Sequence, residues 1–401
     1  MTPGAEGSRL PGLTTSLQQH SLKVATVVRE AILSTPGHWI PFDRFVQLVQ
    51  YAPGIGYYSA GSEKLGAAGD FVTAPELSAL FGRCVARQCA QVLAQSPGDQ
   101  GAILELGAGS GALAETLLQT LQQLGTIPSR YFILEVSADL RARQQQRLAQ
   151  LPALLAGRVQ WLDALPAVSI QGVIVANEVI DALPFKRFVL EQDAIGECGI
   201  TVSSDGHLVE TAHRADTALA AEVRRVYGQT IDEAAPGYTS ELCPMLTPWI
   251  ASLAGALHRG AVLLIDYGLP RRDYYDPRRT RGTMRCHFRH RAHDDPLQYV
   301  GLQDISAWVD FTRVAEAASV ADLDVGGYCT QAAFLLGSGI EADVASAAST
   351  RSALEQAQLA GQARKLLLPG EMGENFKAIW LSRGFDEPPM GFRYQDLRSS
   401  L

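Results

Sequence analysis

Between Gly101 and Glu178, short apolar runs alternate with amphipathic stretches. They read "AILELG", a helical stretch from Ala112 to Leu124, "YFILEV", a helical stretch from Ala138 to Ala149, "RVQWLD" and "GVIVANE". Each run is nearly continuous in apolar residues, as a strand covered on both faces must be. Strand then helix, repeated, predicts a doubly wound, Rossmann-like α/β sheet whose ligands sit at the carboxyl ends of its strands. The pattern resumes with "GAVLLIDYG", a helix around 303–319, "LDVGGY", more helix and a final strand "FKAIWLS". With 47% hydrophobic residues in a chain of 401, there is ample material for such a core.

The remaining segments set the expected organisation. Residues 1–20 read as a flexible tail. Residues 21–75 form an N-terminal helical and lid segment, in which Val24, Val27, Val28, Ala31 and Ile32 recur at helical spacing. Residues 76–185 are the first part of the core. An insertion follows over 186–250, where "KRFVLEQD", "CGITVSS" and "HLVETAH" alternate with period two before a helical stretch; Asp205-Gly206 is its clearest hairpin turn. Residues 251–383 are the second part of the core, carrying a basic loop over 268–302, and 384–401 form a C-terminal tail.

The first strand runs into Gly107, Gly109 and Gly111. Glycines there permit a tight turn and let a ligand approach backbone N–H groups at a helix start. The spacing alone suits a dinucleotide, an S-adenosylmethionine-type donor, or a turn that binds nothing. Charge separates these readings. Glu105, two positions before the first glycine, is unhelpful to a pyrophosphate but attracts a sulfonium donor.

Three further strand ends carry acids. Glu135, after the second strand, can accept two hydrogen bonds from ribose hydroxyls, or stand merely solvated. Asp163 ends the third strand beside Trp161 and Leu162, where an adenine could bond to the acid and pack on its neighbour; a plain loop acid is the alternative. The fourth strand leads into "NEVIDALPF". Asn177, Glu178 and Asp181 therefore lie near the crevice, and in a helical segment Glu178 and Asp181 would share a face. Two carboxylates so placed can hold a guanidinium and take its proton. Asn177 as a helix cap with solvated acids behind it is the plainer reading.

Eight blocks then fall in a recognisable order: "IPFDRFVQLVQYAPGIGYY", "GDFVTAPELSALFG", "LELGAGSG", "LEVSADLRARQ", "NEVIDALPF", "RGTMRCHFRHRAHDDP", "DISAWVDFTRVAEAA" and "GENFKAIWL". From about Leu22 to Trp380 the chain resembles the MidA-like family of class I S-adenosylmethionine-dependent methyltransferases. The resemblance implies a seven-stranded sheet with an antiparallel last strand, and S-adenosyl-L-methionine as cofactor. It implies methylation of a protein arginine, in mitochondrial relatives on a respiratory-chain subunit during complex I assembly. By position, Gly107, Gly109 and Gly111 would line the methionine part of the donor and Glu135 its ribose. The loop Gly69 to Glu76 would close over the donor, with Thr73 and Glu76 offering polar contacts.

Charge bounds the partners. A net charge of −8 argues against a general nucleic-acid or membrane-surface binder. Within this acidic chain, residues 271–291 hold eight arginines against two aspartates, a segment able to dock an acidic partner or an RNA backbone, or simply to pair with the acidic remainder. His287, His290 and His293 recur at spacing three, but Arg285, Arg289 and Arg291 stand among them and would repel a dication, so no metal site is expected. Six scattered cysteines suit a reducing compartment: the cytoplasm of a bacterium, or the mitochondrial matrix in a eukaryote. The N-terminus lacks the apolar stretch of a secretory signal, and no run is long enough to span a membrane. A protein substrate and self-association as a homodimer complete the expected partners. A non-catalytic donor-binding assembly factor, an RNA methyltransferase and a dinucleotide oxidoreductase are the rival readings.

Overall fold

The computed structural model describes residues 10–60, 72–96, 100–228, 235–350 and 352–401, without the side chains of 347–350. Two compact units emerge: one of 1–72, 184–243 and 277–307, the other of 73–183, 244–276 and 308–401.

The larger unit is built on seven strands, numbered here in chain order: β1 (Ala102–Leu106), β2 (Arg130–Leu134), β3 (Val159–Leu162), β4 (Ile170–Asn177), β5 (Leu257–Leu269), β6 (Asp324–Thr330) and β7 (Phe376–Arg383). Their spatial order is β6-β7-β5-β4-β1-β2-β3. Strands β5, β4, β1, β2 and β3 pair in parallel, while β7 runs antiparallel to both β5 and β6. Ile103, Val173, Val175, Leu263 and Ile265 enter one core with helices α1 (Ala79–Leu93) and α2 (Ala112–Gln123). The alternates Leu104, Ile174, Val262 and Leu264 are equally buried. Burial on both faces accounts for the continuous apolar runs.

Helices begin where short polar side chains can satisfy their open N–H groups. The Ser78 hydroxyl accepts from Leu80 N ahead of α1, and Ser137 does the same for α3 (Ala138–Leu148), each worth about 1 kcal/mol.

In the smaller unit, the helix Thr15–Leu33 buries Val24, Val28 and Ile32 beside Phe42, Phe45 and Ile200. Lys186–Leu190 and Ile195–Val202 form an antiparallel sheet with Trp39–Pro41, Leu208–Arg214 and Thr239–Leu242.

Five expectations change. The supposed tail 1–20 already holds helix from Thr15, because the Thr14 hydroxyl caps it at Leu17 N. The supposed loop 268–302 contains the helix Arg271–Tyr274 and the strands Arg285–Phe288 and Arg291–His293; its part from residue 277 onward belongs to the smaller unit. The helix expected from 303 starts at Phe311, where the Asp310 carboxylate caps it, since Asp304–Ser306 is drawn into a strand beside Arg285–His287. Helix Leu246–Ala256 belongs to the core unit and not to the insertion. The end of the chain, 384–401, is no tail: Phe392 packs on Phe334 and Trp380, and Gly391 N donates to Gln88 Oε1.

Candidate active site

The turn after β1 carries left-handed backbone at Gly107 (φ +62°), Gly109 (+54°) and Gly111 (+83°), a region costly for any residue with a Cβ. Gly107 N donates to Leu134 O at 3.0 Å, tying the turn to β2, and Gly111 caps α2. A Cβ on Gly107 would lie 3.2 Å from Val179 Cγ2, so the glycine turn and the turn after β4 face one another closely.

A glutamine binds this turn to its surroundings. Gln144 on α3 is fully buried, and its Nε2 donates to Gly109 O (2.9 Å) and to Glu135 Oε2 (2.9 Å). Its Oε1 accepts from Trp161 Nε1 at 3.0 Å. Ser137 N holds the other oxygen of Glu135 at 2.9 Å. Ser110, inside the glycine turn, is fixed from two sides: it donates to Glu76 Oε1 and accepts from Arg147 Nη1 (2.6 Å), whose Nε reaches Glu115 at 2.9 Å. Glycine turn, Glu135 and Trp161 are therefore one hydrogen-bonded assembly.

Across the crevice, Asn177 closes β4 and its Nδ2 donates to Glu178 Oε1 at 3.0 Å. Among the described residues, Asn177 Oδ1 is buried without a hydrogen-bond partner. Glu178 takes left-handed backbone (φ +53°), uncommon for a residue with a side chain. Its N–H donates to Ile265 O, and the next three N–H groups, of Val179, Ile180 and Asp181, converge on Asp266 Oδ2 at 3.2, 2.9 and 3.3 Å. Tyr267 N donates to Asp266 Oδ1 at 2.9 Å, and the Tyr267 hydroxyl donates to Asp181 Oδ2. The segment 178–183 is thus a clamped turn and not the helix in which Glu178 and Asp181 would share a face. Burial pushes the Asp266 carboxyl well up, the charge of Glu178 adds to this, and the N–H groups oppose it.

Three expected residues sit differently. Glu105 is 2% exposed and does not line the crevice; its Oε2 accepts from Tyr131 OH at 2.7 Å. Burial raises it to about 7, the Tyr131 hydroxyl pulls the other way and Glu135 adds a small upward push. Its charge at neutral pH is therefore partial. Asp163 is solvent-exposed and paired with Arg141, while its neighbour Trp161 joins the glutamine assembly instead. Thr73 begins the short helix Ala74–Leu77 without a side-chain cap bond. Of the supposed lid, Gly69 to Phe71 lie outside the described residues.

Gln144, Ser110, Arg147, Asp266 and Tyr267 were missed from sequence. Only Asp266 and Tyr267 carried a usable signal, since they stand at the carboxyl end of a parallel strand.

The described residues fit an S-adenosyl-L-methionine donor. A Cβ on Gly107 would crowd Val179, Glu135 follows the second strand of the sheet beside the glycine turn, and Asn177 Oδ1 lacks a donor. No group of three or more acidic, histidine or cysteine side chains suited to a metal ion occurs among the described residues, and no described helix is long and apolar enough to cross a membrane.

Comparison with known proteins points the same way. Residues 84–329 match the model of an S-adenosyl-L-methionine-dependent methyltransferase family. The mitochondrial protein arginine methyltransferase NDUFAF7 of Danio rerio is 27% identical over 81% of this chain and 79% of its own length. The human protein of that name is 28% identical over 81% and 76%. A Burkholderia thailandensis protein crystallised with S-adenosyl-homocysteine is 40% identical, with a TM-score of 0.91 over 98% of this chain and all of that one.

Proposed function

Because this chain belongs to that family of S-adenosyl-L-methionine-dependent methyltransferases, we propose that its acceptor is an arginine side chain of a protein, oriented and deprotonated by Glu178 and Asp181. The donor supplies a methyl group on a positively charged sulphur. Gly107, Gly109 and Gly111 line the methionine part of the donor, where the left-handed turn lets it approach the backbone, and Glu135 accepts from its ribose hydroxyls. Thr73 and Glu76 add polar contacts at the start of the short helix beside Ser110, and Asn177 borders both ligands. Glu178 and Asp181 hold the guanidinium edge and align one nitrogen with the methyl carbon. As the nitrogen–carbon bond forms and the carbon–sulphur bond breaks, a proton leaves that nitrogen for a Glu178 carboxylate oxygen.

The observation that carries this reading is the turn itself. Asp266 clamps the backbone of the turn that carries Glu178 and Asp181, Asn177 and Tyr267 hold their carboxylates, and the turn lies beside a glycine turn whose Gly107 has little space for a Cβ. A fixed pair of carboxylates matches the fork of a guanidinium better than a single point charge.

A respiratory-chain subunit as target, a bacterial cytoplasmic or mitochondrial matrix location, and a homodimer extend the proposal. The names of the mitochondrial relatives support the matrix location, six free cysteines suit either reducing compartment, and the target rests on the family resemblance. Incubation of the purified protein with labelled donor and an extract enriched in respiratory subunits tests it. Label should be recovered as methylated arginine, and Glu178→Gln should slow transfer roughly 100-fold or more. Transfer to no arginine, or an unchanged rate in that variant, overturns it.

A further inference from the structure

We infer that Tyr267, Trp308 and Phe376 form an aromatic wall that receives the plane of the acceptor guanidinium and makes the site choose arginine over lysine. The inference rests on the arginine reading above and names the residues that would enforce it.

Tyr267 and Phe376 are register partners on β5 and β7, and their rings meet edge to face at 5.4 Å. Trp308 immediately precedes Val309–Asp310, a two-residue strand pairing with Gly268–Leu269, and its ring lies 6.3 Å from Tyr267 at 74°. All three aromatics stand at the carboxyl end of β5, the edge where a doubly wound sheet holds its ligands. They are also only partly buried. In the same unit Phe311, Tyr328 and Trp380 are fully buried, in contrast to these three rings.

The wall is joined to the acids through Tyr267. The Tyr267 hydroxyl donates to Asp181, and Tyr267 N donates to Asp266, which clamps the Glu178 turn. A ligand with a flat, delocalised cation can stack on aromatic rings while its edge bonds to carboxylates. Guanidinium has that shape and is weakly hydrated. A lysine ammonium is compact and strongly hydrated, so it gains less from a ring face and loses more water.

Isothermal titration of the S-adenosyl-homocysteine-loaded protein with N-acetyl-arginine amide and with N-acetyl-lysine amide tests this without turnover. The wild type should bind the arginine probe about tenfold or more tighter than the lysine probe. Trp308→Ala should weaken the arginine probe at least about fivefold and reduce that preference, while S-adenosyl-homocysteine affinity stays within about twofold. Trp308→Phe, which keeps a ring, should restore most of the loss, and Phe376→Leu gives an independent second reading if the alanine variant does not fold. Equal arginine affinity in Trp308→Ala, Phe376→Leu and wild type overturns the wall. If labelled methyl still reaches arginine in that case, the acceptor reading survives alone. If label goes to lysine or RNA, or the wild type binds neither probe, both fall.

Discussion

The Ile180 N–H donates to Asp266 Oδ2 over 2.9 Å, and 86 residues of chain separate the two. The N–H groups of Val179 and Asp181 share the same oxygen, so one buried carboxylate on β5 sets the path of the turn that ends β4. In Asp266→Asn the amide can replace one acceptor at most, and its NH2 faces donors. Buried N–H groups then lose their partner, for a loss of about 2–3 kcal/mol in chemical denaturation. Methyl transfer should fall more than tenfold through kcat, because Glu178 depends on this turn for its left-handed backbone. S-adenosyl-homocysteine affinity should hardly change. Denaturation unaffected by the substitution would show that the turn does not need the clamp.

Gln144 connects three sequence-distant parts of the donor site through one amide. Gln144→Leu keeps the volume and removes the bonds that the amide makes to Gly109 O, Glu135 Oε2 and Trp161 Nε1. We expect S-adenosyl-homocysteine affinity to drop roughly tenfold, equivalent to about one hydrogen bond's worth of positioning. Tryptophan emission should shift as Trp161 loses its acceptor. Calorimetric affinity equal to wild type would remove Gln144 from the donor site.

Gly107 combines a φ of +62° with a Cβ position 3.2 Å from Val179 Cγ2. Gly107→Ala therefore adds backbone strain of about 1–2 kcal/mol and pushes the two facing turns apart. Donor-product binding should be lost before folding is: circular dichroism stays native while titration heat disappears. Tight binding by a well-folded alanine variant would contradict the cradle.

Where structure follows from local pattern, the sequence was readable. Most of the seven core strands are apolar runs between turn residues, and the three glycines announced their own tight turn. Long-range bonds were invisible. The segment after Asn177 looks helical until Asp266, far along the chain, captures its N–H groups. Gln144 sits in the run "RARQQQ" and differs from its exposed neighbours only by what α3 packs against. The hairpin between Arg285–Phe288 and Arg291–His293 turns on Arg289 and His290, both left-handed (φ +47° and +59°), where Asn-Gly would have signalled a turn. Glu105 was read as a charge for the donor because sequence position gives no burial.

That burial yields a pH dependence. Glu105 has a folded-state pKa near 7 against an ordinary 4.5, so folding favours its protonated form. Its stabilising contribution is complete below about 4.5 and is lost as pH rises toward 7, because the unfolded chain then releases a proton that the folded chain retains. A shift of this size corresponds to an effect on the order of 3 kcal/mol. Glu105→Gln keeps an acceptor for the Tyr131 hydroxyl and has no proton to lose. Its melting temperature should therefore vary less between pH 5 and 8 than that of the wild type, with the two proteins closest at the acid end and the variant the more stable at pH 8. Parallel melting curves for both across that range would mean that the Glu105 carboxyl titrates normally in the folded protein.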